Sequence, residues 1–144
     1  MQPTTFSNSP LRILVADDDP ILCAMAQHTL AELGEISVAE HGAAAWERLQ
    51  REAFDLVLLD LEMPLLDGFD VLKRVRMQDA LADLPVVVLT GRKDHWAIEE
   101  AFDRGATSFI TKPVNWPLLR HQVRYVLRAA DTERRLEVVR SAVA

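Results

Sequence analysis

The chain has 144 residues, 49% of them hydrophobic, and a net charge of −6, enough apolar material for one ordinary domain with its own core. A single cysteine, Cys23, rules out an internal disulfide, and the opening MQPTTFSNSP lacks the basic start and apolar centre of a secretory signal. No apolar run approaches the roughly 20 residues that span a bilayer, so a cytoplasmic protein that does not enter a membrane is expected, with residues 1–10 as a flexible leader. Residues 1–115 carry 10 Lys/Arg against 19 Asp/Glu, whereas 116–144 carry 6 against 3. The acidic body has no basic stripe for nucleic acid, and arginines spread along the tail read as a solvated helix face.

In chain order, LRILVA (11–16) is a β-branched strand that stops at Asp17-Asp18-Asp19-Pro20, a capping carboxylate followed by proline at the first helical position. Leu22, Met25, Ala26, Leu30 and Leu33 then recur at helical spacing, with Gly34 as the expected stop. ISVAE (36–40) reads as a second strand, and HGAAAWERLQREA (41–53) as a helix with Ala45, Trp46 and Leu49 inward. DLVLLD (55–60) is the third strand, and residues 67–78 form a helix with Phe69, Leu72 and Val75 inward. VVVLT ends a fourth strand on Thr90, residues 94–106 make a helix and glycine stop, and TSFIT (107–111) precedes Lys112-Pro113. From Asn115 a helix runs nearly to the end, with Leu119, Val123 and Leu127 expected on the sheet.

Five strands alternating with five helices, the strands apolar on both faces, predict a doubly wound α/β fold with a parallel sheet. In such sheets ligands bind beyond the carboxyl ends of the strands. The polar residues that interrupt the apolar runs fall there: Asp17 and Asp18 after the first strand, Asp60 ending the third, Thr90 the fourth, and Lys112 following the fifth. Three neighbouring carboxylates cannot all stay ionised without a counter-charge. A hard divalent cation with oxygen ligands supplies one, and Mg²⁺ is the natural candidate because it keeps waters and pairs with phosphate oxygens. Lys112 is then a point charge, and Thr90 a hydroxyl donor, for a phosphoryl oxygen. A carboxylate can itself be the nucleophile of phosphoryl transfer, and Asp60 is best placed for that role. Asp19 alone reads as a helix cap. Taken singly, Thr90 is a strand residue and Lys112 a surface cation; capping does not account for polar residues at four strand ends.

LVADDDP, LLDLEMPLLDGFD, VVLTGR and GATSFITKP resemble, in order and spacing, the receiver domains of bacterial two-component response regulators, over about residues 11–130. The resemblance implies the strand order 2-1-3-4-5. It also implies that Asp17 and Asp18 hold Mg²⁺ with Asp60 and the backbone carbonyl of Glu62, and that Asp60 accepts a phosphoryl group from a histidine kinase or phosphotransfer protein. Thr90 and Lys112 would contact that group, Lys112-Pro113 would be a cis peptide, and Phe109 would take the place of the aromatic ring that turns inward with the threonine. Lacking a hydroxyl, Phe109 is expected to rest inward; Glu62 and Arg92 are expected to pair across the site and shield it from water.

The last helix would measure on the order of 43 Å from Trp116 to Ala144, longer than the sheet needs. Leu118, Tyr125, Thr132 and Val139 share one heptad position and Gln122, Ala129, Leu136 and Val143 another. Residues 131–144 are therefore expected to be a helical linker or coiled coil in a homodimer formed with the helix 4–strand 5–helix 5 face. The stretch TKPVNWPLLRHQVRYVLRA resembles the junction of receivers that precede a diguanylate cyclase, and the end in mid-helix is what a piece of a longer protein would show. The receiver itself is expected not to be an enzyme. Other readings are a free-standing shuttle receiver and a Mg²⁺-dependent phosphohydrolase; the latter would place its nucleophile after the first strand. His28, His41, His95 and His121 lack metal-ligand spacing and read as surface or helix residues; Trp46, Trp96 and Trp116 read as packing, with Trp96 on a face open to partners.

Overall fold

The computed structural model describes residues 10–91 and 95–143. In chain order the elements are β1 (Leu11–Ala16), α1 (Pro20–Leu30), β2 (Gly34–Ala39), α2 (Gly42–Arg51), β3 (Leu56–Asp60), α3 (Gly68–Met77), a 3₁₀ turn (Asp79–Leu81), β4 (Val86–Thr90), α4 (His95–Asp103), β5 (Ser108–Thr111) and α5 (Trp116–Val143). The strands form one parallel sheet in the order β2-β1-β3-β4-β5, as expected.

Successive strand residues point to opposite faces, so each central strand feeds two cores. Ile13, Val15, Leu56, Leu58, Val87 and Leu89 meet Leu22, Ala26 and Leu30 of α1 and Leu119, Val123 and Val126 of α5. Leu14, Val57, Leu59, Val86 and Val88 meet Ala45 and Leu49 of α2 and Val71, Leu72 and Val75 of α3. β3 and β4 are buried along their whole lengths, which accounts for their unbroken apolar runs.

Several local expectations are corrected. α1 ends at Leu30, and Gly34 opens β2 instead of stopping the helix. Its absent side chain matters for strand pairing, because a Cβ there would lie 2.1 Å from the Leu11 carbonyl oxygen. Met25 is exposed; Leu127 packs half-buried against the core as expected, and Val126 joins it there as a buried residue. His41 is the N-cap of α2, its Nδ1 accepting a hydrogen bond from the Ala44 N–H at 3.0 Å. Asp19 caps α1 through the Ile21 N–H, as anticipated, and the Lys112–Pro113 peptide is cis. α5 remains helical to Val143, but its last buried residue is Val126 and every residue from Thr132 to Val143 is exposed. Among the described residues, no helix is long and apolar enough to cross a membrane.

Candidate functional site at the carboxyl edge of the sheet

The register of the sheet decides which side chains meet. Ala16 lies beside Leu59, Asp60 beside Leu89, and Thr90 beside Thr111. The ladders run one residue further at this edge: the Leu61 N–H donates to the Leu89 carbonyl at 3.0 Å and the Lys112 N–H to the Thr90 carbonyl at 2.8 Å. Asp17, Asp60, Thr90 and Lys112 are thus delivered by four neighbouring strands.

Asp17 and Asp60 are each 1% exposed and Thr90 is fully buried, whereas Asp18 is exposed. Carboxylate oxygens of Asp17, Asp18 and Asp60 lie within 4.8 Å of one another. Backbone donors fix two of these side chains: Asp17 Oδ1 accepts from the Asp19 N–H at 2.9 Å, and Asp60 Oδ1 from the Glu62 N–H at 3.1 Å. Lys112 Nζ bridges the other two oxygens, 2.9 Å from Asp17 Oδ2 and 3.4 Å from Asp60 Oδ2.

Three carboxylates exceed what one ammonium neutralises. Burial, with the charge of Asp17 added, pushes the Asp60 carboxyl up from 3.8 to about 6, against the opposing pull of the Glu62 N–H and Lys112. Burial works against the Lys112 ammonium, but its bonds to Asp17 and Asp60 outweigh it and its pKa is raised. Asp17 Oδ2 is buried with the Lys112 ammonium 2.9 Å away. An all-oxygen donor set whose negative charge exceeds what Lys112 neutralises fits a hard divalent cation.

The loop after β3 is held from two sides. A Cβ on Gly68 would lie 2.2 Å from the Asp60 carbonyl oxygen, and one on Gly42 would lie 1.5 Å from that of Leu66; glycine lets both helix starts close on residues 60–66. Asp67 caps α3 through the Asp70 N–H, and the Gly68 N–H donates to the Leu61 carbonyl at 3.1 Å. Between them, Leu65 adopts φ 73° within a tight turn closed by the Leu66 N–H on the Pro64 carbonyl at 2.8 Å. A left-handed leucine stores backbone strain beside the site.

Phe109 is half-buried against the α2/α3 core and meets Phe102 edge-on at 5.8 Å. Trp96 is 58% exposed and leans on Phe69 at 6.0 Å. Arg92, the expected partner of Glu62, lies outside the described residues.

Two supporting groups carried no warning in sequence. Arg76, near the end of α3, donates to the carbonyls of Gly105 at 2.8 Å, Ala82 at 3.1 Å and Leu84 at 2.7 Å. It thereby ties α3 to the loops on either side of β4 and α4. Cys23 Sγ donates to the Asp17 carbonyl at 3.3 Å, and burial pushes its thiol up to about 11. The sequence pattern shows only that Arg76 stands on a helix and that Cys23 is small and apolar.

The family model for the response regulator receiver domain matches residues 13–124. A Vibrio cholerae protein named probable cyclic di-GMP phosphodiesterase is 35% identical over 115 residues, covering 80% of this chain but only 26% of its own length. The chemotaxis protein CheY1 of Helicobacter pylori is 31% identical over 124 residues, covering 84% of this chain and 100% of its own. The solved structure of chemotaxis protein CheY4 of Vibrio cholerae superposes with a TM-score of 0.77 at 31% identity, covering 82% of this chain and 99% of that one. With the matching fold and the acidic cluster at its sheet edge, this chain belongs to the response regulator receiver domains.

Proposed function

We propose that Asp60 accepts a phosphoryl group from the phosphohistidine of a kinase or phosphotransfer protein. The observation that carries this is the convergence of three carboxylates and Lys112 at one sheet edge, with Asp60 brought 3.4 Å from the ammonium. In the transfer, a carboxylate oxygen of Asp60 forms a bond to phosphorus, the bond from phosphorus to the donor imidazole nitrogen breaks, and that nitrogen keeps the electron pair and takes up a proton. Asp17, Asp18, Asp60 and the backbone carbonyl of Glu62 would hold Mg²⁺. When bound, the ion supplies the positive charge that keeps the carboxylates ionised and neutralises the phosphoryl oxygens. Lys112 moves its ammonium to a phosphoryl oxygen, and the Thr90 hydroxyl donates to another.

The shift of Thr90 leaves room for Phe109 to turn inward, altering the face made by α4, β5 and α5. That face and α5 mediate a homodimer, with residues 11–130 as the receiver and 131–144 as the linker to an output domain in the cytoplasm. A diguanylate cyclase is the output we favour, supported by the junction sequence and by a relative whose name places it in cyclic di-GMP metabolism and of which this chain spans about a quarter. A stand-alone shuttle receiver is the second reading, favoured by the full-length match to CheY1. In either case the receiver is a phosphoacceptor with slow self-dephosphorylation, not an enzyme acting on other molecules, and its partners are proteins, not nucleic acid.

The test is ¹⁹F NMR of beryllofluoride, a phosphoryl mimic, added to the protein. Bound resonances that require both Mg²⁺ and Asp60 support the proposal. Their absence in the wild type, or persistence in Asp60→Asn, contradicts it.

A further inference from the structure

α4 is held lightly along its length and firmly at one end. The residues it buries are Ala97 and Ala101, whereas α3 buries Val71, Leu72 and Val75. Two alanine methyls bury little apolar surface and do not interlock with their neighbours, so α4 can turn without repacking the core. Two residues past its end the chain is pinned: Arg76 Nε donates to the Gly105 carbonyl at 2.8 Å, and a Cβ on Gly105 would lie 2.7 Å from Arg76 Cγ. That end is a pivot.

Away from the pivot, α4 leans on aromatic rings. Trp96, in its first turn, meets Phe69 of α3 with centroids 6.0 Å apart, and Phe102 meets Phe109 of β5 at 5.8 Å. Phe69 is itself fixed: the Arg104 guanidinium lies 5.5 Å from its ring centroid and Nη1 donates to its carbonyl at 3.4 Å, while Nε of the same arginine donates to Glu100 at 2.6 Å. Both ring contacts lead to the site. Phe69 follows Gly68, whose backbone lies against the Asp60 carbonyl, and Phe109 is the ring proposed above to turn inward with Thr90. The contacts are made while Lys112 is engaged with Asp17 and Asp60, the unphosphorylated arrangement.

We infer that the Trp96–Phe69 contact is an autoinhibitory latch. It holds α4 in its resting position; when Asp60 is occupied and Phe109 withdraws from Phe102, α4 swings about the Arg76–Gly105 pivot and carries Trp96 off Phe69. The inference rests on Asp60 being the phosphoacceptor. A contact made in the resting state alone opposes activation by its own worth, and an aromatic pair at this separation is worth roughly three- to tenfold in an equilibrium constant.

The test is titration of the full chain with beryllofluoride at saturating Mg²⁺, followed by ¹⁹F NMR, for the wild type, Trp96→Leu, Phe69→Leu and the double variant. Trp96 is 58% exposed, so its replacement leaves the core intact. Each single variant should bind beryllofluoride roughly three- to tenfold more tightly than the wild type, and the double variant no more tightly than the singles, because one contact is removed in all three. In wild type carrying 5-fluorotryptophan, the resonance that Trp96→Leu abolishes should shift when beryllofluoride binds. Unchanged or weaker binding by Trp96→Leu, gains that add in the double variant, or a Trp96 resonance that stays in place overturns the latch alone. A wild type that binds no beryllofluoride overturns the latch and the phosphoacceptor reading together.

Discussion

Replacing Asp60 by asparagine should make the metal-free protein more stable at neutral pH. Asp60 is 1% exposed, and its carboxyl is pushed from 3.8 to about 6 by burial and by Asp17. A raised carboxyl pKa means the fold prefers the neutral form: the group costs nothing below its unfolded value, and stability is lost as pH rises from 3.8 to about 6, above which the loss stays constant. Each pH unit between the two values is worth about 1.4 kcal/mol. Relative to a neutral isostere the wild type therefore gives up about 1 kcal/mol at pH 4.5 and about 3 kcal/mol at pH 7.5. Urea unfolding in EDTA, followed by circular dichroism at both pH values, measures the difference. Asp60→Asn should be the more stable protein, with an advantage that grows with pH, and saturating Mg²⁺ should narrow the gap by stabilising the wild type. An advantage equal at both pH values would refute the electrostatic argument, as would a wild type more stable than the variant at pH 7.5.

The same proton links to the metal. Below about pH 6 Mg²⁺ must displace it from Asp60, so affinity measured by titration calorimetry should fall by up to about tenfold per pH unit, with proton release visible in buffers of different ionisation enthalpy. Arg76→Met keeps the aliphatic stem but strands the carbonyls of Gly105, Ala82 and Leu84; it should cost about 2–4 kcal/mol in urea unfolding. Leu65→Asn places a residue tolerant of positive φ where leucine has φ 73°, and a gain of about 0.5–1 kcal/mol in the same assay is expected.

The strand ends were legible because a parallel sheet converts chain order into spatial order. Once β1, β3, β4 and β5 are recognised as buried runs, Asp17, Asp60, Thr90 and Lys112 have to gather at one edge, however far apart they lie in sequence. What escaped was set by contacts between distant segments. Gly34 has the look of a helix stop, and only the approach of the Leu11 carbonyl, 2.1 Å from where its Cβ would be, shows it as a strand residue. Arg76 resembles any exposed helix arginine until Gly105 and Leu84 close around its guanidinium. His41 carries no hint that its ring, not a hydroxyl or carboxylate, caps α2. Leu65 gives no sign of its left-handed backbone, because leucine is among the residues least expected there.

The most direct measurement is the mass of the protein after incubation with Mg²⁺ and a small phosphodonor, with the modified residue located by peptide mapping. One phosphoryl group should be added, on Asp60, absent in Asp60→Asn and prevented by EDTA. No mass gain in the wild type, or an equal gain in Asp60→Asn, would contradict the assignment of Asp60 as the phosphoacceptor.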